Sequence, residues 1–236
     1  MSRKTLIATA YILAAALSVL TVAAHWQGWL PVPLDTTDLL AFVTGLWSVW
    51  LAARNNPWNW PVGVANAAFF VALFWSARLY FDMGLNVFYV VSGLWGWWIW
   101  LFGGANRTEK PIESAQRPEL VGVAVGGVIL TFAMWHGGIL IDDAAPAIDA
   151  VTTALSIVAQ WLLMRRLIEN WYFWIAADLI YVPLYLSRGL PLTAALYALF
   201  PIVCWRGIVE WRAIRESQRQ PAVSRLEGVV AVEATR

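Results

Sequence analysis

The sequence has few charged residues, one cysteine and two histidines, and each scarcity excludes a class of protein. Charged residues make up 13% of the 236, whereas a soluble chain carries about a quarter. The single cysteine, Cys204, excludes a disulfide framework within the chain. No His-x-x-Glu-His motif and no Gly-x-Ser-x-Gly elbow occurs, so we expect no metal, no cofactor and no enzyme activity. A net charge of +1, without a compact basic and aromatic cluster, predicts no nucleic-acid partner.

The sequence is instead rich in long apolar runs, since 60% of its residues are hydrophobic. A membrane-spanning helix needs about 20 apolar residues. The runs predict an all-α membrane protein with about eight transmembrane helices, near 5–25, 38–54, 58–80, 84–102, 119–138, 148–166, 170–187 and 191–212. The first run follows Arg3 and Lys4 and could be a signal peptide, but its length favours a retained helix. The polar tail after Arg212 is expected to be helical for a turn or two and then disordered.

The basic residues predict the orientation of these spans. Eight spans leave only Arg78 and Arg188 on one side and the other 14 of the 16 lysines and arginines on the opposite side. The positive-inside rule makes the richer side cytoplasmic. We therefore expect a multi-pass protein of the cell inner membrane, in contact with lipid, with both termini in the cytoplasm.

The chain also contains an internal repeat. At an offset of 111, three matches occur: Asp38 with Asp149, Arg54 with Arg165, and Asn59-Trp60 with Asn170-Trp171. At an offset of 105, three more occur: Leu79-Tyr80 with Leu184-Tyr185, Gly84-Leu85 with Gly189-Leu190, and Trp100 with Trp205. The difference between the two offsets predicts a six-residue deletion between the two groups of matches.

Two blocks of three predicted helices are separated by one helix. Both blocks therefore enter the membrane in the same direction and form a parallel repeat. Such repeats are a transporter architecture with the solute site near mid-membrane, between the copies. The predicted divisions are an N-terminal helix and outer loop (1–37), a first three-helix repeat (38–103), a linker with one helix (104–146), a second repeat (147–212) and a cytoplasmic tail (213–236).

A polar and aromatic stripe lies inside one of the apolar runs. Trp171, Trp174, Asp178, Tyr181 and Tyr185 are spaced by 3, 4, 3 and 4 residues, which places them on one helix face. A carboxylate inside a membrane helix costs a few kcal/mol unless it faces protein or a wet cavity. The stripe predicts an aromatic-walled lumen for a small polar or cationic solute. The alternatives are belt positions for the tryptophans, and a structural hydrogen bond or proton coupling for the carboxylate.

Other polar residues in apolar surroundings extend the candidate solute site: Asn66, Asn86, Tyr89 and Gln160. Thr152, Ser156 and Gln160 recur every fourth residue and form a polar strip on one helix face. Hydrogen bonding between helices is the alternative role for these residues. Tyr80 and Tyr185 are gate candidates at the outer corner, with an interfacial belt as the alternative.

Several segments together resemble the PnuC-type vitamin transporters. The first-half segments are Asn59-Trp60-Pro61-Val62-Gly63, Leu79-Tyr80-Phe81-Asp82 and Gly96-Trp97-Trp98-Ile99-Trp100. The second-half segments are Asn170-Trp171-x-x-Trp174-x-x-x-Asp178 and Tyr181-Val182-Pro183-Leu184-Tyr185. The resemblance covers residues 38–212 and adds Asn170 to the candidate site. Asn86 stands where the family pattern has a glutamine.

The resemblance implies a SWEET-like 3+1+3 core, a homotrimer, and uptake of nicotinamide riboside by facilitated diffusion. It also implies that a cytoplasmic vitamin kinase traps the product by phosphorylation. Thiamine and riboflavin are the alternative solutes. A membrane sensor or scaffold that does not transport is a more distant alternative.

Overall fold

The computed structural model describes residues 36–76, 80–140, 146–187 and 191–234. These ranges hold seven long α-helices: α1 (Thr36–Ala53), α2 (Asn59–Ser76), α3 (Tyr80–Phe102), α4 (Arg117–Leu140), α5 (Pro146–Met164), α6 (Asn170–Ser187) and α7 (Pro191–Ala234). A short 3-10 turn, Ala105–Arg107, follows α3. The described ranges are therefore helical, as predicted, with one isolated β-bridge between Glu113 and Leu167. The predicted helix at 5–25 lies outside them.

Three segments within the described ranges are long and apolar enough to cross a bilayer by themselves: Met83–Phe102, Arg117–Leu140 and Pro146–Met164. Proline marks two helix starts, because Pro146 begins α5 and Pro191 begins α7. The fixed φ of proline suits a first helical turn, where its missing N–H costs nothing.

The polar tail differs from the expectation. Helix α7 runs for 44 residues to Ala234, so the predicted short helix followed by disorder is wrong. The residues beyond Arg212 are rich in arginine, glutamate, glutamine and alanine, which are good helix formers. Their polarity made them resemble a disordered segment, although it only prevents burial and does not oppose helix formation.

The chain divides into two compact units, Met1–Trp47 and Ser48–Arg236. Only residues 36–47 of the first unit are described, and all contacts given below lie within the second. There, neighbouring helices pack in the pairs α2–α3, α4–α5, α5–α6 and α6–α7. Helix α3 also packs against α5, which joins the early and late parts of the unit.

An offset of 111 relates four pairs of helix boundaries. Helix α2 and helix α6 begin and end at equivalent residues, and so do the ends of α1 and α5 and the starts of α3 and α7. The predicted second offset of 105, with its six-residue deletion, is wrong. Its Leu-Tyr match is a coincidence of dipeptides, since Tyr80 begins α3 whereas Tyr185 lies inside α6.

The turns α1–α2 and α5–α6 are also built alike. Asn55 N donates to Ala52 O over 2.8 Å, and Arg166 N donates to Leu163 O over 2.9 Å. Asn55 and Arg166 both have positive φ, of 53° and 60°. Asparagine adopts this left-handed conformation readily, whereas arginine does so uncommonly. The repeat therefore extends to the backbone conformation of a single residue in each turn.

Side-chain contacts hold Arg166 in this conformation. Its guanidinium is almost completely buried, lies 4.7 Å from the centre of the Trp100 ring and donates through Nε to Asn55 Oδ1 over 2.9 Å. It also donates to the Lys110 carbonyl and lies 3.6 Å from the Glu109 carboxylate. Burial lowers the pKa of Arg166, and the neighbouring Glu109 opposes that shift. This side chain ties the linker after α3 to both equivalent turns.

Four tryptophans, here called the tryptophan core, join the first half of the described chain (α1–α3) to the second half (α5–α7). They are Trp60, Trp100, Trp171 and Trp211. Trp60 packs edge-on against Trp100 at 5.4 Å between ring centres, and Trp171 packs edge-on against Trp211 at the same distance. Trp100 and Trp211 lie 5.6 Å apart and connect the pairs. All four side chains are at most 3% exposed. The core therefore buries a large aromatic surface between the halves.

The hydrogen bonds of the tryptophan core cross between the halves. Trp100 Nε1 donates to Leu163 O over 3.0 Å, and Trp211 Nε1 donates to Ala52 O over 3.0 Å. Trp211, at an offset of 111, is thus the equivalent of Trp100. The predicted match of Trp100 with Trp205 is wrong, because Trp205 is 60% exposed.

Glycines allow the outer two rings of the tryptophan core to approach the facing helix. A Cβ on Gly96 would lie 2.5 Å from the Trp60 ring, and one on Gly207 would lie 2.7 Å from the Trp171 ring. Real Cβ atoms essentially never come within 3.0 Å of such atoms. Glycine is therefore required at both equivalent positions for the helices to pack at this distance.

Candidate functional site

Helix α6 presents one buried carboxylate. Asp178 is 6% exposed, near the middle of the helix. Among the described residues, none forms an ion pair with it, and its surroundings act on it mainly by removing water. Tyr181, Tyr197 and Cys204 lie within electrostatic range of its charge. A lone carboxylate in such surroundings is costly, so its position indicates a functional role.

Beside Asp178 lies a group of rings, here called the tyrosine cluster: Tyr181, Tyr185 and Tyr197. Tyr181 and Tyr185 stack one helical turn apart at 5.6 Å between ring centres. Tyr197, on α7, lies 4.9 Å from Tyr181 and 5.0 Å from Tyr185. The cluster supplies several aromatic faces next to a single buried acid.

Sequence reasoning missed Tyr197. A single tyrosine in an apolar helix resembles an interfacial belt residue. The signal that could have found it is the repeat, since Tyr197 is Asn86 plus 111 and Asn86 was itself a predicted site residue. The incorrect offset of 105 hid this equivalence.

The polar strip of α5 bonds to helix α3. Thr152, Ser156 and Gln160 are all buried, at 1%, 4% and 8% exposure. Gln160 Nε2 donates to Ser92 Oγ over 3.1 Å, which links α5 to α3. Thr152 instead donates to Ile148 O within α5 over 3.0 Å, so Gln160 is the residue of the strip that bonds to another helix.

The strip also lies next to two tyrosines of the candidate site. Ser156 lies beside the hydroxyl of Tyr89 on α3. Thr152 lies beside the hydroxyl of Tyr181 on α6, while its own hydroxyl donates to Ile148 O within α5. The structure thereby brings Tyr89, Gln160, Asp178 and Tyr181, four predicted site residues, into one polar and aromatic region between the halves.

Two predicted site residues have packing roles instead. The Trp171 ring is 1% exposed and lies between Trp211 and Gly207. Asn170 is fully buried, and its Nδ2 donates to Leu167 O over 2.6 Å within the α5–α6 turn. Neither side chain offers a free face to a solute in this conformation. Helical spacing placed Trp171 on the stripe but could not reveal the glycine that faces its ring, and Asn170 entered the candidate site through the resemblance.

The other predicted residues are less enclosed. Trp174 is half-buried and packs against the edge of the tryptophan core. Asn66 on α2 and Asn86 on α3 are half-buried and both have interaction partners. Tyr185 belongs to the tyrosine cluster. The Tyr80 side chain lies outside the described residues. The described ranges contain no group of acid, histidine or cysteine side chains suited to a metal ion.

Apolar helices arranged around a buried carboxylate, hydroxyls and aromatic rings define a class of protein, a multi-pass membrane protein with polar groups in its interior. The sequence profile of the family described as "Nicotinamide mononucleotide transporter" matches residues 35–213. The chain belongs to this family, the PnuC family, whose members are membrane transporters and not enzymes. The family membership predicted from the sequence motifs is confirmed.

Curated relatives are similar over most of their length. The nicotinamide riboside transporter PnuC of Escherichia coli (strain K12) is 23% identical over 204 residues, which cover 75% of this chain and 85% of the relative. The riboflavin/roseoflavin transporter RibM of Streptomyces davaonensis is 23% identical over 190 residues, which cover 77% of this chain and 88% of the relative.

A solved structure has the same fold. The crystal structure of the vitamin B3 transporter PnuC superimposes with a TM-score of 0.65 at 21% sequence identity, covering 87% of this chain and 92% of that chain. At this identity the likeness shows the fold alone.

Proposed function

We propose that this chain takes up a vitamin across the cell inner membrane, with nicotinamide riboside as its solute. Transport is by facilitated diffusion, and a cytoplasmic vitamin kinase traps the product by phosphorylation. The observation that carries the proposal is Asp178, a buried carboxylate that forms no ion pair with any described residue. The names of the relatives supply the solute class.

The chemistry of nicotinamide riboside suits this region. Its pyridinium ring is flat and positively charged, and it would compensate the charge of Asp178. Tyrosine faces attract a cation by about 0.5–2 kcal/mol and also stack on flat rings. Tyr181 and Tyr197 lie within electrostatic range of Asp178 and provide such faces. The hydroxyls and amides around them can pair with ribose hydroxyls.

The proposed solute contacts are the predicted residues that remain reachable in the fold, together with Tyr197: Asn66, Asn86, Tyr89, Gln160, Trp174, Asp178 and Tyr181. Asn170 and Trp171 act indirectly, by fixing the start of α6. Tyr185 and Tyr80 are the proposed gate at the outer corner. Tyr185 is supported in this role by its stacking in the tyrosine cluster.

The proposed architecture is an N-terminal helix followed by a SWEET-like 3+1+3 parallel repeat, eight spans in all, assembled as a homotrimer with both termini in the cytoplasm. The common offset of 111 in the helix boundaries supports the repeat. The proposed solute site lies between the copies, where Gln160 on α5 donates to Ser92 on α3 and Tyr89 on α3 lies near Tyr181 on α6.

Riboflavin is the second candidate, because the RibM relative matches as well as the PnuC relative does. A flavin is neutral, and it would leave the Asp178 carboxylate without a counter-charge. Thiamine carries a cationic ring and would satisfy the same carboxylate. The charge of the site therefore favours the two cationic vitamins, and the relatives favour nicotinamide riboside among them.

Tryptophan fluorescence tests the solute assignment directly. Purified protein is titrated with nicotinamide riboside, thiamine and riboflavin, with Asp178→Asn as the site variant. Glu210→Gln is the matched control, because it removes a carboxylate from a partly exposed surface pair. We expect saturable quenching by nicotinamide riboside, about tenfold weaker in Asp178→Asn, since a charge-assisted hydrogen bond contributes about 1.5–3 kcal/mol. Equal affinity in both variants, or tighter binding of riboflavin, would contradict the assignment.

Proteoliposome flux tests the transport mode. Facilitated diffusion predicts uptake of labelled nicotinamide riboside until the internal and external concentrations are equal, with no effect of a proton gradient. Enclosing a kinase and ATP should raise total accumulated label well beyond that limit. An internal concentration above the external one without the kinase would exclude facilitated diffusion and favour proton coupling at Asp178 instead.

A further inference from the structure

A cavity of about 410 Å³ lies beside the turn between α5 and α6. Its lining comes from the linker, the start of α6 and the polar part of α7: Ser114, Ile168, Glu169, Tyr172, Arg212, Arg215 and Glu216. Its volume falls in the range of about 300–1,000 Å³ typical of small-molecule sites. None of these residues belongs to the candidate transport site.

The cavity lies where α7 changes from apolar to charged. Two charged residues occur between Pro191 and Trp211, whereas four occur within the eight residues from Arg212 to Arg219. Tyr172, which is 43% exposed, lines the cavity at this level. Exposed tyrosines and arginines at such a boundary are typical of the lipid headgroup region. The cavity is therefore placed at the depth of phospholipid headgroups.

The cavity contains two arginines and two glutamates, but they are not equally available. Both Glu169 oxygens are occupied, since Oε1 accepts from Ser114 Oγ over 2.5 Å and Oε2 accepts from Ala115 N over 2.8 Å. Arg212 donates from one terminal nitrogen to the Tyr172 hydroxyl over 2.5 Å. The rest of the Arg212 guanidinium remains available to a ligand.

Arg215 and Glu216 are the unoccupied charges. Neither forms an ion pair with any residue in the described part of the chain. Two guanidinium groups favour a phosphate, which arginine binds with paired N–H donors. One available carboxylate beside an aromatic ring favours an ammonium. Because the four charges of the lining cancel, a ligand carrying both signs fits better than an anion.

We propose that this cavity binds the headgroup of a zwitterionic phospholipid with a primary ammonium, as in phosphatidylethanolamine. Arg212 and Arg215 hold the phosphate, and Glu216 accepts from the ammonium while the Tyr172 ring covers it. A lipid in this position contacts the linker, α6 and α7 together. It therefore stabilises the end of the molecule at which those three segments meet.

Lipid competition on the purified full chain tests the proposal. The protein in detergent is given equal amounts of dioleoyl phosphatidylethanolamine, phosphatidylcholine and phosphatidylglycerol, and bound lipid is counted by native mass spectrometry. We expect the parent protein to retain about tenfold more phosphatidylethanolamine than either of the other two lipids. In Arg215→Gln the amount of retained phosphatidylethanolamine should fall about tenfold. Arg219→Gln, one turn further along α7 and outside the lining, is the control and should retain lipid as the parent does.

A second variant tests the proposal independently if Arg215→Gln folds poorly. Glu216→Gln leaves the two arginines with one carboxylate fewer, so lipid preference should move from phosphatidylethanolamine toward the anionic phosphatidylglycerol. Equal retention of the three lipids by the parent protein, or an unchanged preference in Glu216→Gln, would overturn the proposal. Displacement by soluble glycerophosphoethanolamine at the same concentration would also overturn it, since the ligand would then be a free solute and not a membrane lipid.

Discussion

Replacing Gly207 with alanine should force α6 and α7 apart. The new Cβ would lie 2.7 Å from Cε2 and 2.8 Å from Cζ2 of Trp171. The Trp171 ring is 1% exposed and packs against Trp211, so it has no free space into which to move. The helices themselves must therefore separate by several tenths of an ångström.

The expected cost follows from two opposing terms. Overpacking a well-packed interior costs about 1–3 kcal/mol, while alanine favours a helix interior over glycine by up to about 1 kcal/mol. The net result is a loss of about 1–2 kcal/mol in the free energy of unfolding. Gly122→Ala in α4 is the matched control, because nothing lies within 4 Å of its Cβ position. That variant should show only the helix gain.

Thermal unfolding in detergent measures the difference. One kcal/mol corresponds to about 2–4 °C in Tm for a chain of this size. Gly207→Ala should therefore unfold about 2–8 °C below the parent protein, and Gly122→Ala at or above it. Adding Trp171→Phe to Gly207→Ala should recover part of the loss, because the smaller ring relieves the contact. The packing argument is refuted if the two glycine variants unfold at the same temperature.

Three further outcomes are expected in the same assay. Trp100→Phe should lower the free energy of unfolding by about 1–3 kcal/mol, because the hydrogen bond from the indole to Leu163 O is lost and the smaller ring leaves a cavity in the tryptophan core. Arg166→Gln should cost about 1–3 kcal/mol, since Asn55 Oδ1 and Lys110 O lose a buried charged donor; an unchanged Tm would show that the linker is held by its other bonds. Gln160→Leu should cost about 0.5–1.5 kcal/mol, because Ser92 Oγ loses its donor, whereas Gln160→Glu, which also loses that donor and adds a buried carboxyl group, should cost more.

Hydrophobic runs were sufficient to predict most of the helices. Their length in a bilayer is set by membrane thickness, and Pro191 begins α7 at the predicted residue. The tail after Arg212 was misjudged because polarity indicates solvent exposure and does not by itself indicate disorder. The local sequence was therefore enough to predict where the helices occur. How far a helix continues beyond the membrane depends on the helix propensity of its residues.

The candidate site was only partly accessible to sequence reasoning. Helical spacing correctly placed Asp178 and Tyr181 on one face of α6. It could not distinguish a ring that faces the interior from one that packs on a distant glycine, which is the situation of Trp171 above Gly207. Tyr197 was missed for the related reason that its partners lie on another helix.

The crossed bonds of the tryptophan core have the form of an isologous contact. Trp100 uses the carbonyl of Leu163, and Trp211 uses that of Ala52, so each half contributes the same donor and the same acceptor. In a two-fold symmetric dimer, residue i of one subunit meets residue j of the other, and j meets i in return. The two bonds of the tryptophan core are reciprocal in the same way, although both lie within one chain.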